Sequence, residues 1–249
     1  MAIKSDIGWT NSSWNPVTGC DKVSAGCDNC YAESFSERFR GVKGHHFKNG
    51  FDLQLRPERL LLPFDWKKPR KIFVNSMSDL FHKGVPDEYV AMAFWTMESN
   101  PRHTFQVLTK RSSLLRDFVN KRFPDSAKPA PDHILLGVSI ENSDNLVRLR
   151  HLKETNAAKK FISFEPLLGS VGTIDLAGID WVIMGGESGH GFRKVDISWL
   201  REIRDQCTEQ KVALFFKQWG GRTSKIGGNE LDGKHWLNHP EHDLIAMAV

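Results

Sequence analysis

The apolar positions of the chain gather into six short, almost unbroken runs: KIFVN (71–75), TFQVL (104–108), ILLGVS (134–139), KKFISF (159–164), DWVIMG (180–185) and VALFFK (212–217). Runs that are continuously apolar rather than alternating belong to strands buried on both faces, the habit of parallel sheets. Between several of them the period lengthens to that of a helix. DEYVAMAFWTMES (87–99), SSLLRDFVNKRF (112–123), NSDNLVRLRHLKET (142–155) and DISWLREIRDQCTEQ (196–210) are amphipathic; Leu146, Leu149 and Leu152 form one stripe, and Trp199, Ile203 and Cys207 another. Strand alternating with helix predicts βαβ units and a parallel sheet. WNPVTG (14–19) offers a short first strand or its end, and CYAESFSERFR (30–40) a helix after it. FPDSAKPAPDH (123–133) reads as a loop, residues 41–70 as an irregular insertion, and residues from about 220 to 249 as a C-terminal tail. The expected fold class is α/β, a partial (β/α)6 barrel of TIM-like type forming a single domain over residues 1–249.

Polar residues concentrate where the strands end. SMSDLF follows the run at 71–75, TKRSS the next, then SIEN, EPLLG, GGESGHG and KQWGG, while the loops that enter the strands are plainer. In parallel α/β folds the carboxyl ends of the strands are where ligands bind. One polar rim carrying one pocket is the expectation.

Composition adds little restriction. Of 249 residues, 40% are hydrophobic and 26% charged, as in ordinary soluble domains, and the formal charge of +4 permits a polyanionic partner without requiring one. No apolar run has the length of a secretory core or a membrane span, so a cytoplasmic protein without membrane contact is expected. Clustered cysteines in a reducing compartment more often bind metal than pair.

Three of the four cysteines, Cys20, Cys27 and Cys30, lie together in the loop 18–32. A closed structural zinc site takes four ligands and a disulfide framework an even number. Three thiols suit a metal centre with one position open, and the start of a helix at Cys30 favours thiolate there. Two readings stay open on ligand count: an iron–sulfur site, or a Cys₃His zinc site completed by His45, His46 or His82. Cys207, on a helical apolar stripe, reads as a core thiol. His190 lies between two glycines and reads either as an acid/base group or as a surface histidine. Trp219 is placed on the rim, with packing under the tail as its alternative.

WNPVTGC…GCDNCYAE, SMSDLFH, LLGVSIEN, FISFEPLLG, WVIMGGESG and FFKQWGG together resemble the phage-type three-cysteine-motif proteins, over about residues 7–236. That family is in turn similar to the radical SAM superfamily. The resemblance implies a partial barrel of radical-SAM type with a [4Fe–4S] cluster on Cys20, Cys27 and Cys30. S-adenosylmethionine would complete the cluster's coordination and be cleaved to a 5′-deoxyadenosyl radical. Six residues separate Cys20 from Cys27, where the superfamily usually has three, and GGES follows the sixth strand rather than the second. By position, Asn75, Ser76, Ser78 and Asp79 would meet the methionine ammonium, with Ser78 and Asp79 alternatively capping the next segment. Ser139 and Glu141 would meet ribose or carboxylate, and Lys110 or Arg111 would neutralise the carboxylate. Gly185 and Gly186 would admit backbone to the adenine. Glu165 would hold ribose, orient substrate or pair with Lys217; Glu187 and Lys217 are the candidate catalytic residues. The expected partners are a nucleic acid or nucleotide substrate, an electron donor and a partner protein. KKPRK (67–71) tilts the substrate reading toward nucleic acid. The rival classes are a zinc-stapled nucleic-acid-binding protein without enzymatic activity, and a hydrolase using Glu165 and Glu187 as paired acids.

Overall fold

The computed structural model describes residues 5–223 and 226–240; the parts of the expected tail at 224–225 and 241–249 lie outside them. Its centre is a seven-stranded sheet whose order in space is its order in the chain. The strands are β1 (Ser12–Trp14), β2 (Lys71–Val74), β3 (Thr104–Thr109), β4 (Ile134–Ser139), β5 (Lys160–Phe164), β6 (Trp181–Gly185) and β7 (Ala213–Gln218). Every neighbouring pair is parallel. The sheet curls into a half-barrel of TIM-like type. Six strands coincide with the six apolar runs, and the short first strand makes the seventh. The helices longer than one turn are α1 (Tyr31–Glu37), α2 (Asp87–Glu98), α3 (Ser112–Arg122), α4 (Val147–Lys153) and α5 (Ile197–Glu209). The crossover from β5 to β6 has none.

Successive side chains of a strand point to opposite faces, and here they join two separate cores. Ile72, Val74, Ile134, Leu136, Ile162, Val182, Met184, Leu214 and Phe216 belong to the larger core, which also takes in buried residues of α2, α3, α4 and α5. Their alternates Phe73, Leu135, Phe161, Trp181, Ile183 and Phe215 form a smaller core with Trp9 from the segment before β1. Trp9 is 2% exposed and packs on Phe73 and Trp181, with ring centroids 4.7 and 6.0 Å apart. Bulky aromatics thus fill the inner face of the half-barrel and floor the space above it. Cys207 is buried in the larger core, where burial pushes its thiol up to about 12.

The edge of β7 is covered rather than bare. Phe216 N donates to Trp236 O at 2.7 Å and Asn238 N to Leu214 O at 3.0 Å, so residues 236–238 supply the pairing that an open edge would seek elsewhere. Residues 41–70 are mostly turns, but they are tied down. Gln54–Leu55 pairs antiparallel with Val17–Thr18, and Trp14 Nε1 donates to Arg59 O at 2.7 Å. No described helix is long and apolar enough to cross a membrane.

Candidate functional site

Above the aromatic floor, at the carboxyl ends of the strands, lies a pocket of about 260 Å³. Cys20, Cys27 and Cys30 line it, together with Asn75, Ser76, Ser78, Asp79, Lys110, Ser139, Glu165, Gly186, Glu187 and Lys217. Glu141 and Gly185 are buried just outside the lining. Three thiols from a loop after β1 and polar ends from the later strands therefore share one wall of space, as the alternation of strand and polar loop requires.

The cysteine loop is held there by three buried carboxylates. Asp79, 5% exposed, accepts from Thr109 Oγ1 at 2.7 and 2.8 Å, Phe81 N at 3.0 Å, Lys110 N at 3.2 Å and Arg111 Nη1 at 3.0 Å. Arg111 in turn donates to Cys20 Sγ at 3.3 Å and to Asp21 O at 3.1 Å. Glu141, 1% exposed, accepts from Ser24 Oγ at 2.9 Å, Lys110 Nζ at 2.8 Å and Arg148 Nη1 at 2.8 Å. A Cβ on Gly26 would fall 2.5 Å from its Oε1, so the turn carrying Cys27 closes on Glu141 only with glycine there. Glu187 accepts from Asn29 Nδ2 at 3.0 Å and from Arg193 N, Nε and Nη2 at 2.8, 3.0 and 2.6 Å. Arg193 reaches on to Ala25 O at 2.8 Å and Asp28 Oδ2 at 3.2 Å. Burial works to raise the carboxyl pKa of Glu141, but Lys110 and Arg148 outweigh it and the net shift is downward. Burial likewise opposes ionisation of Glu187, and the bonds from Arg193 and Asn29 prevail. All three carboxylates are taken up by protein donors; neither Lys110 nor Arg111 is a free cation.

Asn75 is the opposite case. It ends β2 with φ of 60°, in the left-handed region, and is 2% exposed. Among the described residues neither its Nδ2 nor its Oδ1 has a hydrogen-bond partner, although the residue lines the pocket. Its neighbours are engaged with the chain around β1: Ser76 Oγ bonds Asn15 at 3.2 Å, Ser78 Oγ donates to Val17 O at 2.8 Å, and Ser76 O accepts from the Tyr31 hydroxyl. Tyr31 thereby stands as a fixed ring at the pocket, 56% exposed, beside Cys30.

Glu165 and Lys217 form an ion pair, Nζ to Oε1 at 2.9 Å, and Ser163 Oγ donates to Glu165 Oε2 at 3.2 Å. Glu165 and Glu187 therefore each have their own cation. Gly185 and Gly186 sit in close quarters: a Cβ on Gly186 would lie 2.0 Å from Trp219 O, just past β7, and one on Gly185 3.1 Å from Glu165 Oε1 and 3.3 Å from Gln218 O. Trp219 packs beneath the tail, its Nε1 donating to Glu230 O at 2.8 Å. His190 is exposed. His45 stacks on Phe39, His46 bonds Arg59 at 2.8 Å, and His82 bonds Asp21 Oδ2 at 3.0 Å and Gly84 N at 3.0 Å.

Among the described residues no three His, Cys, Asp or Glu side chains converge closely enough to hold a single ion. Thiolates sharing one zinc lie about 2.3 Å from it and so roughly 4 Å from each other. Thiolate is a donor that zinc and iron–sulfur clusters share, and Cys20, Cys27 and Cys30 line one pocket. Burial pushes the Cys20 thiol up to about 11 and raises Cys30 as well, outweighing the amides at the start of α1. The start of a helix therefore does not make Cys30 a thiolate by itself; metal binding would release its proton. Sequence reading missed Ser24, Asn29, Arg148 and Arg193, which hold the cysteine loop. The only signal was an arginine six or seven residues after each of Glu187 and Glu141.

Residues 4–240 match the family described as "Protein of unknown function (DUF5131)", and the chain belongs to that family. No curated protein matches it. Among solved structures, spore photoproduct lyase complexed with dinucleoside spore photoproduct is similar at a TM-score of 0.45 and 11% identity. The match covers 78% of this chain, and the chain spans 59% of that one.

Proposed function

We propose that this member of a family of unknown function is a cytoplasmic radical SAM-type enzyme. Cys20, Cys27 and Cys30 would hold a [4Fe–4S] cluster, and the pocket beside them would take S-adenosylmethionine. The observation that carries this reading is Asn75. A buried carboxamide with neither end bonded costs about 1–3 kcal/mol, and one beside three thiols calls for a ligand that donates and accepts together. The head group of an α-amino acid does both, its ammonium donating to Oδ1 and its carboxylate accepting from Nδ2. Ser139, also on the pocket wall, is the second residue we assign to the ligand.

The rest of the chain positions and shields. Asp79, Glu141 and Glu187 act through Arg111, Ser24, Asn29 and Arg193 to keep the cysteine loop in place, and Trp9 and Phe73 close the floor to water. Lys217, paired with Glu165, is the group we assign to substrate at the inner end. When bound, the cluster supplies one electron to the sulfonium of S-adenosylmethionine. The substrate is a nucleotide or nucleic acid, in keeping with the resemblance to phage-type three-cysteine-motif proteins, and an electron-donor protein and a partner protein complete the system. Anaerobic purification tests the reading. A brown protein with about four irons per chain that releases 5′-deoxyadenosine from S-adenosylmethionine is expected. A colourless protein carrying one zinc after iron and sulfide reconstitution would overturn it.

A further inference from the structure

Arg111 lines the pocket and lies against the sulfur of Cys20. Its guanidinium is fixed from three sides: Nη1 lies 3.0 Å from Asp79 Oδ2 and 3.3 Å from Cys20 Sγ, and Nη2 lies 3.1 Å from Asp21 O. The side chain is 10% exposed and its carboxylate partner 8%. Asp79 is itself held by Thr109 and by the Phe81 and Lys110 amides, so two of the three restraints on Arg111 do not depend on Cys20. Neither Cys27 nor Cys30 has a cation bonded to its sulfur among the described residues.

We propose that Arg111 is a positioning residue that raises the reduction potential of a cluster ligated by Cys20; this rests on the cluster reading above. A donor to a ligating sulfur draws charge from it, and a fixed cation at hydrogen-bond distance favours the form with one more negative charge, which is the reduced one. Asp79 opposes this with its own charge, but of the two only the guanidinium contacts the sulfur, whose other partner is Asp21 O at 3.4 Å. The bond also marks the iron on Cys20 as electronically distinct from those on the other two cysteines. Lysine is a poor substitute, because one ammonium cannot reach sulfur, Asp79 and the Asp21 carbonyl with the geometry of a planar fork.

The test compares wild type, Arg111→Met and Arg111→Lys, each reconstituted anaerobically with iron and sulfide. Iron and sulfide are counted first, then the midpoint is read by a dithionite titration followed by electron paramagnetic resonance. The expected result is similar iron content in all three, a midpoint clearly more negative in Arg111→Met, and a value between them in Arg111→Lys. Variants that keep the cluster at the wild-type midpoint would overturn the assignment and leave the cluster reading intact. Loss of the cluster in both variants would make Arg111 a scaffold residue and overturn it as well. If only Arg111→Met loses the cluster, the midpoint of Arg111→Lys decides. Wild type that takes up no iron and sulfide defeats the cluster reading itself, and this is seen before any midpoint is measured.

Discussion

Glu141 and Asn75 are both buried polar residues at the carboxyl ends of strands, 1% and 2% exposed, and they differ in one respect. The Glu141 carboxylate is met by Ser24, Lys110 and Arg148, whereas neither end of the Asn75 amide has a partner among the described residues. A satisfied buried group stabilises the structure that surrounds it; an unsatisfied one is costly until something else arrives. On the function proposed above, the same rim contains a clamp that positions the thiols and, at Asn75, a recognition point for the ligand. The two kinds of residue respond oppositely to mutation.

The largest effect comes from what the clamp holds. Replacing any of Cys20, Cys27 or Cys30 by alanine should lower bound iron from about four per chain to near zero. Circular dichroism should stay unchanged, since all three thiols are half-exposed and outside both cores. Retention of full iron by all three variants would separate the cysteines from the metal.

Next comes the clamp itself. Glu141→Ala leaves Lys110 and Arg148 facing each other without their anion and should cost about 3–5 kcal/mol in urea unfolding. It should also loosen iron through Ser24. The pH dependence has a definite sign. The folded pKa of Glu141 lies below its ordinary 4.5, so its contribution is complete above that value and is lost as pH falls through the folded pKa. In Glu141→Gln the acid limb of a stability–pH profile should therefore be shallower than in wild type. An unchanged limb would show that the carboxylate is not coupled to folding.

Asn75 reverses the pattern. Asn75→Gly removes an unpaired amide and suits φ of 60°, so the protein without ligand should gain about 1 kcal/mol. Binding of S-adenosylmethionine by calorimetry should weaken tenfold or more. Stability and affinity moving in the same direction would break the distinction between clamp and recognition point.

How much of this was legible beforehand follows from the range of the interactions. The six long strands were readable because burial on both faces leaves an unbroken apolar run, and the helices because their stripes face one sheet. β1 is only three residues long and partly polar, and more than fifty residues of chain, the cysteine loop and α1 among them, separate it from its partner β2. At the rim, acidic residues at strand ends look alike in sequence. Asp79, Glu141 and Glu187 were placed with the ligand, yet their oxygens belong to donors as distant as Ser24, 117 positions from Glu141. Asn75 was expected to meet a ligand and it lines the pocket, but that both ends of its amide lack a partner among the described residues is visible only once the fold surrounds it. Gly185 and Gly186 were expected to admit adenine; what the fold adds is that a Cβ there would meet Glu165 Oε1 and Trp219 O, contacts no local pattern announces.

The smallest expected effect concerns KKPRK, the charge run that favoured a nucleic-acid substrate. It leads into β2 at Lys71, the amino end of a parallel strand, while Asn75 and the cysteines lie at the carboxyl end. Four residues of strand separate the two by about 13 Å, with the aromatic floor between, and Arg70 is turned back onto the Trp66 ring at 5.2 Å. Lys67 and Lys68 are exposed there and face away from the pocket. A polynucleotide entering at the cysteine rim would not pass over them, and charges separated by more than a Debye length of about 8 Å are largely screened at physiological salt. Charge reversal in Lys67→Glu and Lys68→Glu together should therefore change oligonucleotide affinity less than twofold, measured by anisotropy at that salt. The reversal of Lys22, on the cysteine loop and at the pocket, should weaken it more. A larger loss from the pair at 67–68 than from Lys22 would place nucleic acid on the far face and separate its binding from the thiol site.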